Sequence, residues 1–442
     1  MNSIKTAIVG GGAAGFFLAL HLKEKCPSME VTIFERSSHL LRKVKVSGGG
    51  RCNCTNTFAD VSDLSSVYPR GHRLMKRLLK GFSQHDAYAW FEHHGIPLTV
   101  QPDHCVFPAA QDAQVVIDCF LHHARRLGVI IRTGCPVTAV TPNPSAAAPA
   151  LTLSLADAPD ERFDFVALTT GGQPRMENLQ PLAHLGHAIE APVPSLFTFS
   201  IDDPALHALM GTVVDYSTDG DPSVPNVIVG LPGTKFRASG AILITHWGLS
   251  GPAILKLSSY AARYLAEQGY CAPLTVNWTG QNEEQVQQHL LRLLAEHPRR
   301  QITTFHPFNL PTRLWSYLLE KAQTSGNYDI TPTSTPLSLS KRAINRLVAL
   351  LTADIYTIAS RAPFKDEFVT CGGIALSAVN PSTLESRHCP HLYFAGELLD
   401  IDGITGGFNF QAAWTTAYTA ATAIAQAASS KLYDVTLNEP ST

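Results

Sequence analysis

Apolar positions along this chain fall first into short unbroken runs and later into helical periods. Thr6-Ala7-Ile8-Val9 is the first run, and it suits a parallel strand buried on both faces. From about Ala14 to Lys25, the positions of Phe17, Leu18, Leu20 and Leu22 predict a helix, and Val31-Thr32-Ile33-Phe34 predicts a second strand ending at Glu35. Phe163 to Gly172 and His391 to Glu397 read as later strands that run into glycine, and an alanine-rich helix is expected from about Gln411 to Ala427. Between these, from about Pro194, short alternating runs such as Leu196 to Ile201 and Ala241 to Ile244 predict a β-rich stretch. A helical stretch follows from about Glu283 to Leu351, with Val286, Leu290, Leu293 and Leu294 on one face and Pro298, Pro307 and Pro311 as punctuation.

This order predicts an α/β protein whose Rossmann-like, glutathione-reductase-like domain is formed by both chain ends, residues 1–193 and 368–442. A β-rich domain (194–280), a helical subdomain (281–351) and a return segment (352–367) are inserted between them. Pro142 to Pro149 reads as a short loop between strands. With 442 residues, 45% hydrophobic and 16% charged, the chain can bury more than one core and is not a disordered type. Its net charge of -2 gives no global attraction to nucleic acid or membrane, although Arg70, His72, Arg73, Lys76, Arg77 and Lys80 form a local basic cluster. That cluster reads either as a solvated helix face or as a docking surface for RNA phosphates. The nine cysteines have no framework spacing, and Cys52-Asn53-Cys54 lacks the second pair of a zinc site, so reduced thiols, no metal and a cytoplasmic location are expected. No apolar run reaches the ~18–20 residues that span a bilayer.

Chemistry enters with Gly10-Gly11-Gly12-Ala13-Ala14-Gly15, a G-x-G-x-x-G between the first strand and the first helix. Gly10 permits a tight turn, Gly12 lets backbone approach a pyrophosphate, and Gly15 lets the helix pack closely. The helix N-terminus favours phosphate, and Glu35 can accept hydrogen bonds from ribose hydroxyls. Ala13, Ala14 and Arg36 flank these positions. A second glycine loop, Ser47-Gly48-Gly49-Gly50-Arg51-Cys52-Asn53, exposes backbone N–H groups to an anion or a planar ring, with Lys43 and Arg51 as charge partners. By itself it also reads as a flexible surface loop. At the far end, Gly396-Glu397, Asp400 and Gly407-Phe408-Asn409 lead into the alanine-rich helix, while Thr170-Gly171-Gly172 closes a strand and Val137 lies on another. The combination predicts FAD. Gly396-Glu397 then lies at the ribityl chain, Thr170 to Gly172 at the pyrophosphate, Val137 at the adenine, and the last helix aims its positive end at the pyrimidine edge of the flavin.

These motifs resemble the bacterial YhiN/BaiN-type FAD-dependent flavoproteins. The resemblance is carried by Ser47 to Asn53, Thr245-His246-Trp247-Gly248-Leu249-Ser250-Gly251-Pro252, Leu384 to Arg387 with Tyr393 to Glu397, and Gly406 to Gln411. It implies an FAD domain interrupted by an insert, and activities from reduction of conjugated C=C bonds, in ribosomal RNA uridine or steroid enones, to amine oxidation. The chain departs from the pattern at Leu41, where the family has glycine, and at Gln173 to Asn178, where it has a glycine-rich segment.

The expected activity is therefore FAD-dependent reduction of a conjugated C=C bond with NAD(P)H as transient donor, on a small unsaturated substrate or ribosomal RNA. No second G-x-G-x-x-G unit supplies a dedicated nicotinamide domain. An aminoacetone-type amine oxidase and a non-enzymatic flavin- or RNA-binding factor are the alternatives. Cys52 reads as a proton donor or a packing residue, and His246 as a proton donor or a buried brace. The pairs His93-His94 and His122-His123 have no metal spacing.

Overall fold

The computed structural model describes residues 3–143, 149–216, 226–324, 330–331, 333–362 and 369–437, with side chains to Lys431. Most of the predicted Pro142 to Pro149 loop and the end of the 352–367 return lie outside the described residues. The chain forms two compact units, Met1–Val193 with Val369–Thr442, and Pro194–Phe368.

In the first unit, strand β1 (Lys5–Val9) leads into helix α1 (Ala13–Lys25) and strand β2 (Glu30–Phe34). Helix α2 (Arg42–Gly50) follows, then strands β3 (Ile130–Arg132) and β4 (Phe165–Leu168). The strand Leu392–Phe394 completes a five-stranded sheet in the order Leu392–Phe394, β4, β1, β2, β3. Every pairing is parallel, so the strand ends that precede the glycine loops share one edge. Helix α1 is buried from Ala14 to Lys23, because the long C-terminal helix Phe408–Leu437 lies along it. Alanines at 417, 420 and 421 let the two helices approach, and Phe17 meets Trp414 at a ring separation of 5.0 Å. Residues on both sides of the insert meet here as well, since strands Ile189–Ser195 and Val369–Ile374 pair.

Among its described residues, the second unit holds two antiparallel sheets of five and four strands and three longer helices, Glu283–Glu296, Thr312–Thr324 and Lys341–Ala353. The single helical stretch expected between Glu283 and Leu351 is broken at its prolines into 3-10 turns at Ile302–Thr304 and Pro307–Asn309. Sheet and helices share one core, in which Trp278, Leu314 and Leu351 are fully buried, so the helical segment has no separate core.

Candidate FAD-binding site

The three motif glycines do different work. Gly10 has φ +116°, and a Cβ there would stand 2.5 Å from the Thr169 carbonyl at the end of β4. At Gly15 a Cβ would stand 2.0 Å from the Gly10 carbonyl oxygen, so α1 packs on its own loop only with glycine. Gly12 is the opposite case, with nothing within 4 Å of its Cβ position, and α1 starts there without a side-chain cap. An anion above Gly12 would meet open backbone N–H groups at the positive end of the helix.

Glu35 is held rather than free. Its Oε2 accepts from Gly11 N–H at 2.8 Å and its Oε1 from Ser37 N–H at 2.9 Å. Each oxygen keeps a lone pair for a ribose hydroxyl. Cys135 N–H donates to the Glu35 carbonyl and Gly134 N–H to that of Ser37, which brings Val137 alongside. Arg36 is exposed.

Three distant segments converge on Glu397. Lys43 Nζ lies 2.6 Å from Oε2, and Thr370 N–H donates to Oε1 at 2.9 Å. A Cβ on Gly172 would come within 2.6 Å of Oε1, which explains glycine there, and Gly171 is left-handed at φ +72°. Thr170 joins this turn to Thr169, whose hydroxyl bonds to the Val9 and Gly10 carbonyls. Gly396 N–H donates to Thr416 on the C-terminal helix, and a Cβ on Gly396 would meet Ala14 at 2.9 Å. Leu41, where the resembling family has glycine, is left-handed at φ 56° and buried; this position suits glycine, and here apolar burial offsets the backbone cost.

The second glycine loop is not a free surface loop. Gly48, Gly49, Gly50 and Cys52 all have positive φ, folding the end of α2 back on itself. Gly48 presses on Phe107, whereas Gly49 faces open space. Arg51 turns back, donating to the Gly48 carbonyl at 3.0 Å and lying over the Phe107 ring at 4.3 Å. Asn53 ties the loop to the last helix: in the amide orientation that satisfies both ends, it accepts from Gly407 N–H at 3.2 Å and donates to the Thr55 carbonyl at 2.8 Å. Trp414 Nε1 donates to the Cys54 carbonyl, fixing the same segment from below.

Several expected site residues turn their side chains elsewhere. Asn409 clamps the preceding loop by bonding to Gly403 N–H and C=O, both at 2.8 Å, so only its backbone faces the helix start. Phe408 is a core residue packed against Phe58 and Tyr68. Asp400 is half-buried and its N–H donates to the Ile374 carbonyl. Cys52 is fully buried in the apolar core with its sulfur 3.8 Å from that of Cys54, which favours packing over proton donation. Contact with Cys52, then burial, holds the Cys54 thiol well above its usual range. His246 lies in the second unit and is not a buried brace. It is exposed with Trp247 at the tip of a hairpin closed by reciprocal Thr245 and Gly248 hydrogen bonds.

Arg70 also leaves the basic cluster. Its Nε donates to Asp402 Oδ1 at 2.6 Å and its other arm pairs with Oδ2, forming a buried ion pair. Burial alone disfavours the charged guanidinium, yet Asp402 holds its pKa above the ordinary arginine value. Arg73, Lys76 and Arg77 stay on the outer face of the short helix His72–Leu78, whose Leu74, Met75 and Leu78 are buried, and Lys80 is exposed in the turn just after it.

Residues 4–423 match the family described as HI0933-like protein Rossmann domain. The chain belongs to this family. It is an FAD-dependent oxidoreductase with a Rossmann-type FAD-binding domain. It is 28% identical over 437 residues to a 3-dehydro-bile acid delta(4,6)-reductase of Clostridium scindens, covering 96% of this chain and all of that one. It is likewise 28% identical to a ribosomal RNA dihydrouridine synthase of Escherichia coli, over 97% of this chain and all of that one. Among solved structures, a 3-ketosteroid delta1-dehydrogenase from Sterolibacterium denitrificans is similar at a TM-score of 0.49 and 12% identity, covering 97% of this chain and 100% of that one. Among the described residues, no helix is long and apolar enough to cross a membrane, and no group of three or more His, Cys, Asp or Glu could hold a metal ion.

Proposed function

We propose that this protein reduces a polarised C=C bond, with NAD(P)H as the transient reductant and a uridine base in ribosomal RNA as the substrate. The observation that carries this reading is that two relatives matched end to end are both named for saturating a ring C=C bond, one in a bile acid and one in RNA. Bound FAD supplies hydride at N5.

The chain's own residues bind and orient it. Gly10, Gly12, Ala13, Ala14 and Gly15 receive the pyrophosphate, the fit resting on the open space above Gly12 and the uncapped start of α1. Glu35, already fixed by two backbone donors, takes the ribose hydroxyls, with Val137 and Arg36 bordering the adenine. Thr170, Gly171 and Gly172 pass beside the pyrophosphate, Gly396 lies at the ribityl chain, and Glu397, held by Lys43 and Thr370 N–H, accepts from its hydroxyls. Gly49, Gly50, Arg51, Cys52 and Asn53 present backbone along one side of the flavin. Gly407, Phe408 and Asn409 open the long helix whose positive end stabilises negative charge on the pyrimidine edge.

Nucleoside mass spectrometry of ribosomal RNA from cells with and without the gene tests the reading. Loss of dihydrouridine on deletion, restored by the purified protein with NAD(P)H, is the expected result. An unchanged nucleoside profile would remove RNA as substrate. Failure of both NADH and NADPH to bleach the bound flavin without oxygen, together with amine-dependent peroxide release, would replace the reductase by an oxidase.

A further inference from the structure

The basic cluster after Tyr68 carries no counter-charge of its own. From Leu64 to His85 the chain holds Arg70, Arg73, Lys76, Arg77 and Lys80 and no acid. Asp402 neutralises Arg70, and the other four are exposed. They fall at the three- and four-residue steps of one helical face, and turn hydrogen bonds continue from Leu78 to Phe82 N–H, which keeps Lys80 in line. Leu74, Met75 and Leu78 are buried on the other side, so the stripe cannot roll inward. Among the described residues, none of the four forms an ion pair. Arg77 donates to Ser382 Oγ at 2.6 Å, a neutral partner that fixes the guanidinium and leaves its charge uncompensated. The neighbouring acid, Asp63, is engaged elsewhere. Hydrogen bonds from the Ser65 hydroxyl and from Ser65 N–H at 3.0 Å hold its pKa below the usual value, and His72 and Lys76 add to this only from further off.

Such an order does not serve the helix. Arg73–Lys76, Arg73–Arg77, Lys76–Lys80 and Arg77–Lys80 are all neighbours of like sign, and each pair repels. The helix dipole favours Lys76 and Arg77 in the last turn, but Arg73 stands in the first turn against it. A polyanion laid along the stripe meets four cations at once and relieves these repulsions. The stripe is also tied to the flavin end of its own unit. Ile404 N–H donates to the Val67 carbonyl at 2.9 Å, the Tyr68 hydroxyl donates to the Phe408 carbonyl at 2.8 Å, and the backbones of Arg70 and Asp402 bridge. A Cβ on Gly71 would stand 2.7 Å from Ile401, so the short helix starts directly against this loop. The loop leads into the long helix from Phe408, assigned above to the pyrimidine edge of the flavin. The net charge of -2 means that any nucleic acid must be gripped at a local cluster of this kind.

We propose that the stripe of Arg73, Lys76, Arg77 and Lys80 holds the sugar–phosphate backbone of a structured RNA beside the FAD site. This rests on the RNA reading above. The test uses the full-length FAD-loaded protein and a fluorescein-labelled RNA stem-loop with uridines in its loop, followed by anisotropy across a salt series. In R73Q/K76Q, neutral helix-forming side chains replace two exposed cations. Affinity should fall about tenfold, and the slope of log K against log salt should lose roughly 1.4–1.8, the equivalent of two phosphate contacts. R77Q/K80Q removes the other half of the stripe and should show a like loss. The melting temperature and flavin spectrum of both variants should match the parent, which separates lost contacts from a lost fold. The control is R125Q/R126Q, an equal change of charge at the end of the helix Gln114–Arg126. That end precedes the start of β3, at the sheet edge opposite the glycine loops, and the control should bind like the parent. Parental affinity and slope in both stripe variants would overturn the surface while leaving the RNA reading intact, provided the parent binds and reduces RNA. Equal loss in R125Q/R126Q would also overturn it, since binding would then follow general charge. Polyglutamate that displaces the labelled RNA as well as unlabelled RNA does would overturn the choice of partner. A parent that neither binds nor reduces RNA would take both proposals down together. A parent that binds RNA through the stripe and leaves its uridines unreduced would sink the reaction and uphold the surface.

Discussion

Asp402→Ala removes one half of a charge pair that has little access to water. The Arg70 side chain is 14% exposed and that of Asp402 is 0% exposed, and the pair joins positions 332 residues apart within the FAD-binding unit. Removing the carboxylate leaves a largely buried guanidinium without its main counter-charge. Breaking a buried pair in this way costs about 3–5 kcal/mol, much of it the penalty of the orphaned charge rather than the worth of the bond. For a domain of this size, 1 kcal/mol lowers the melting temperature by roughly 2–4 °C, so a fall on the order of 10 °C is expected. The measurement is differential scanning calorimetry of the FAD-loaded protein, with flavin fluorescence as a second probe that reports release from the first unit. Arg70→Met combined with Asp402→Leu should recover most of the loss, because apolar groups of similar volume require no charge partner. The reasoning is refuted if Asp402→Ala melts within about 1 °C of the parent, or if the double variant melts as low as the single one.

Other outcomes follow from the same geometry. Gly12→Ala and Gly15→Ala should part company: the first should fold like the parent and lose FAD on gel filtration, the second should lose apoprotein stability too, because its Cβ would strike the Gly10 carbonyl. Equal melting curves for the two apoproteins would contradict that division. Glu35→Ala should release FAD at lower temperature without loss of secondary structure, and unchanged retention would remove Glu35 from the ribose. His21 is buried, its Nδ1–H donates to the Phe17 carbonyl at 3.0 Å, and burial lowers its pKa to about 4. The unfolded chain therefore binds a proton there near pH 6.5 that the folded chain refuses until about pH 4, so stability should drop as pH falls through that window. His21→Phe should flatten this part of the profile of melting temperature against pH, and an unaltered slope would show that other groups govern it.

What could be read from the sequence was local. The run from Lys5 to Glu35 encodes strand, turn, helix, strand and acid at fixed spacing, and each part follows from neighbouring residues, so both elements and chemistry were legible. The convergence on Glu397 was partly legible, because Lys43, Gly172 and Glu397 each sit in recognisable motifs. Thr370, which supplies a backbone donor, has no side-chain signature at all. Arg70 looked like surface charge because its partner is far away along the chain. Asn409 and Phe408 looked like flavin contacts because motif position says where a residue is, not which way its side chain turns. His246 reads as a proton donor or a buried brace, and the hairpin removes the brace: Gly248 at φ +142° lets the chain reverse in two residues and leaves the histidine at the tip.

The pairing of the two chain ends also sets a schedule for synthesis. Strand Leu392–Phe394 and the helix that covers α1 are the last described elements to be made, and all of the second unit is translated before them. At ~5–20 residues per second, that interval lasts on the order of ten seconds or more. Throughout it, helix α1 has emerged without the last helix that lies along it, and Phe17 without the Trp414 ring it packs against. The nascent chain thus carries an open apolar seam beside an unfinished nucleotide pocket, and a chaperone has its best opportunity there. A message cut short before Phe408 would yield a sticky half-domain rather than a weakened enzyme.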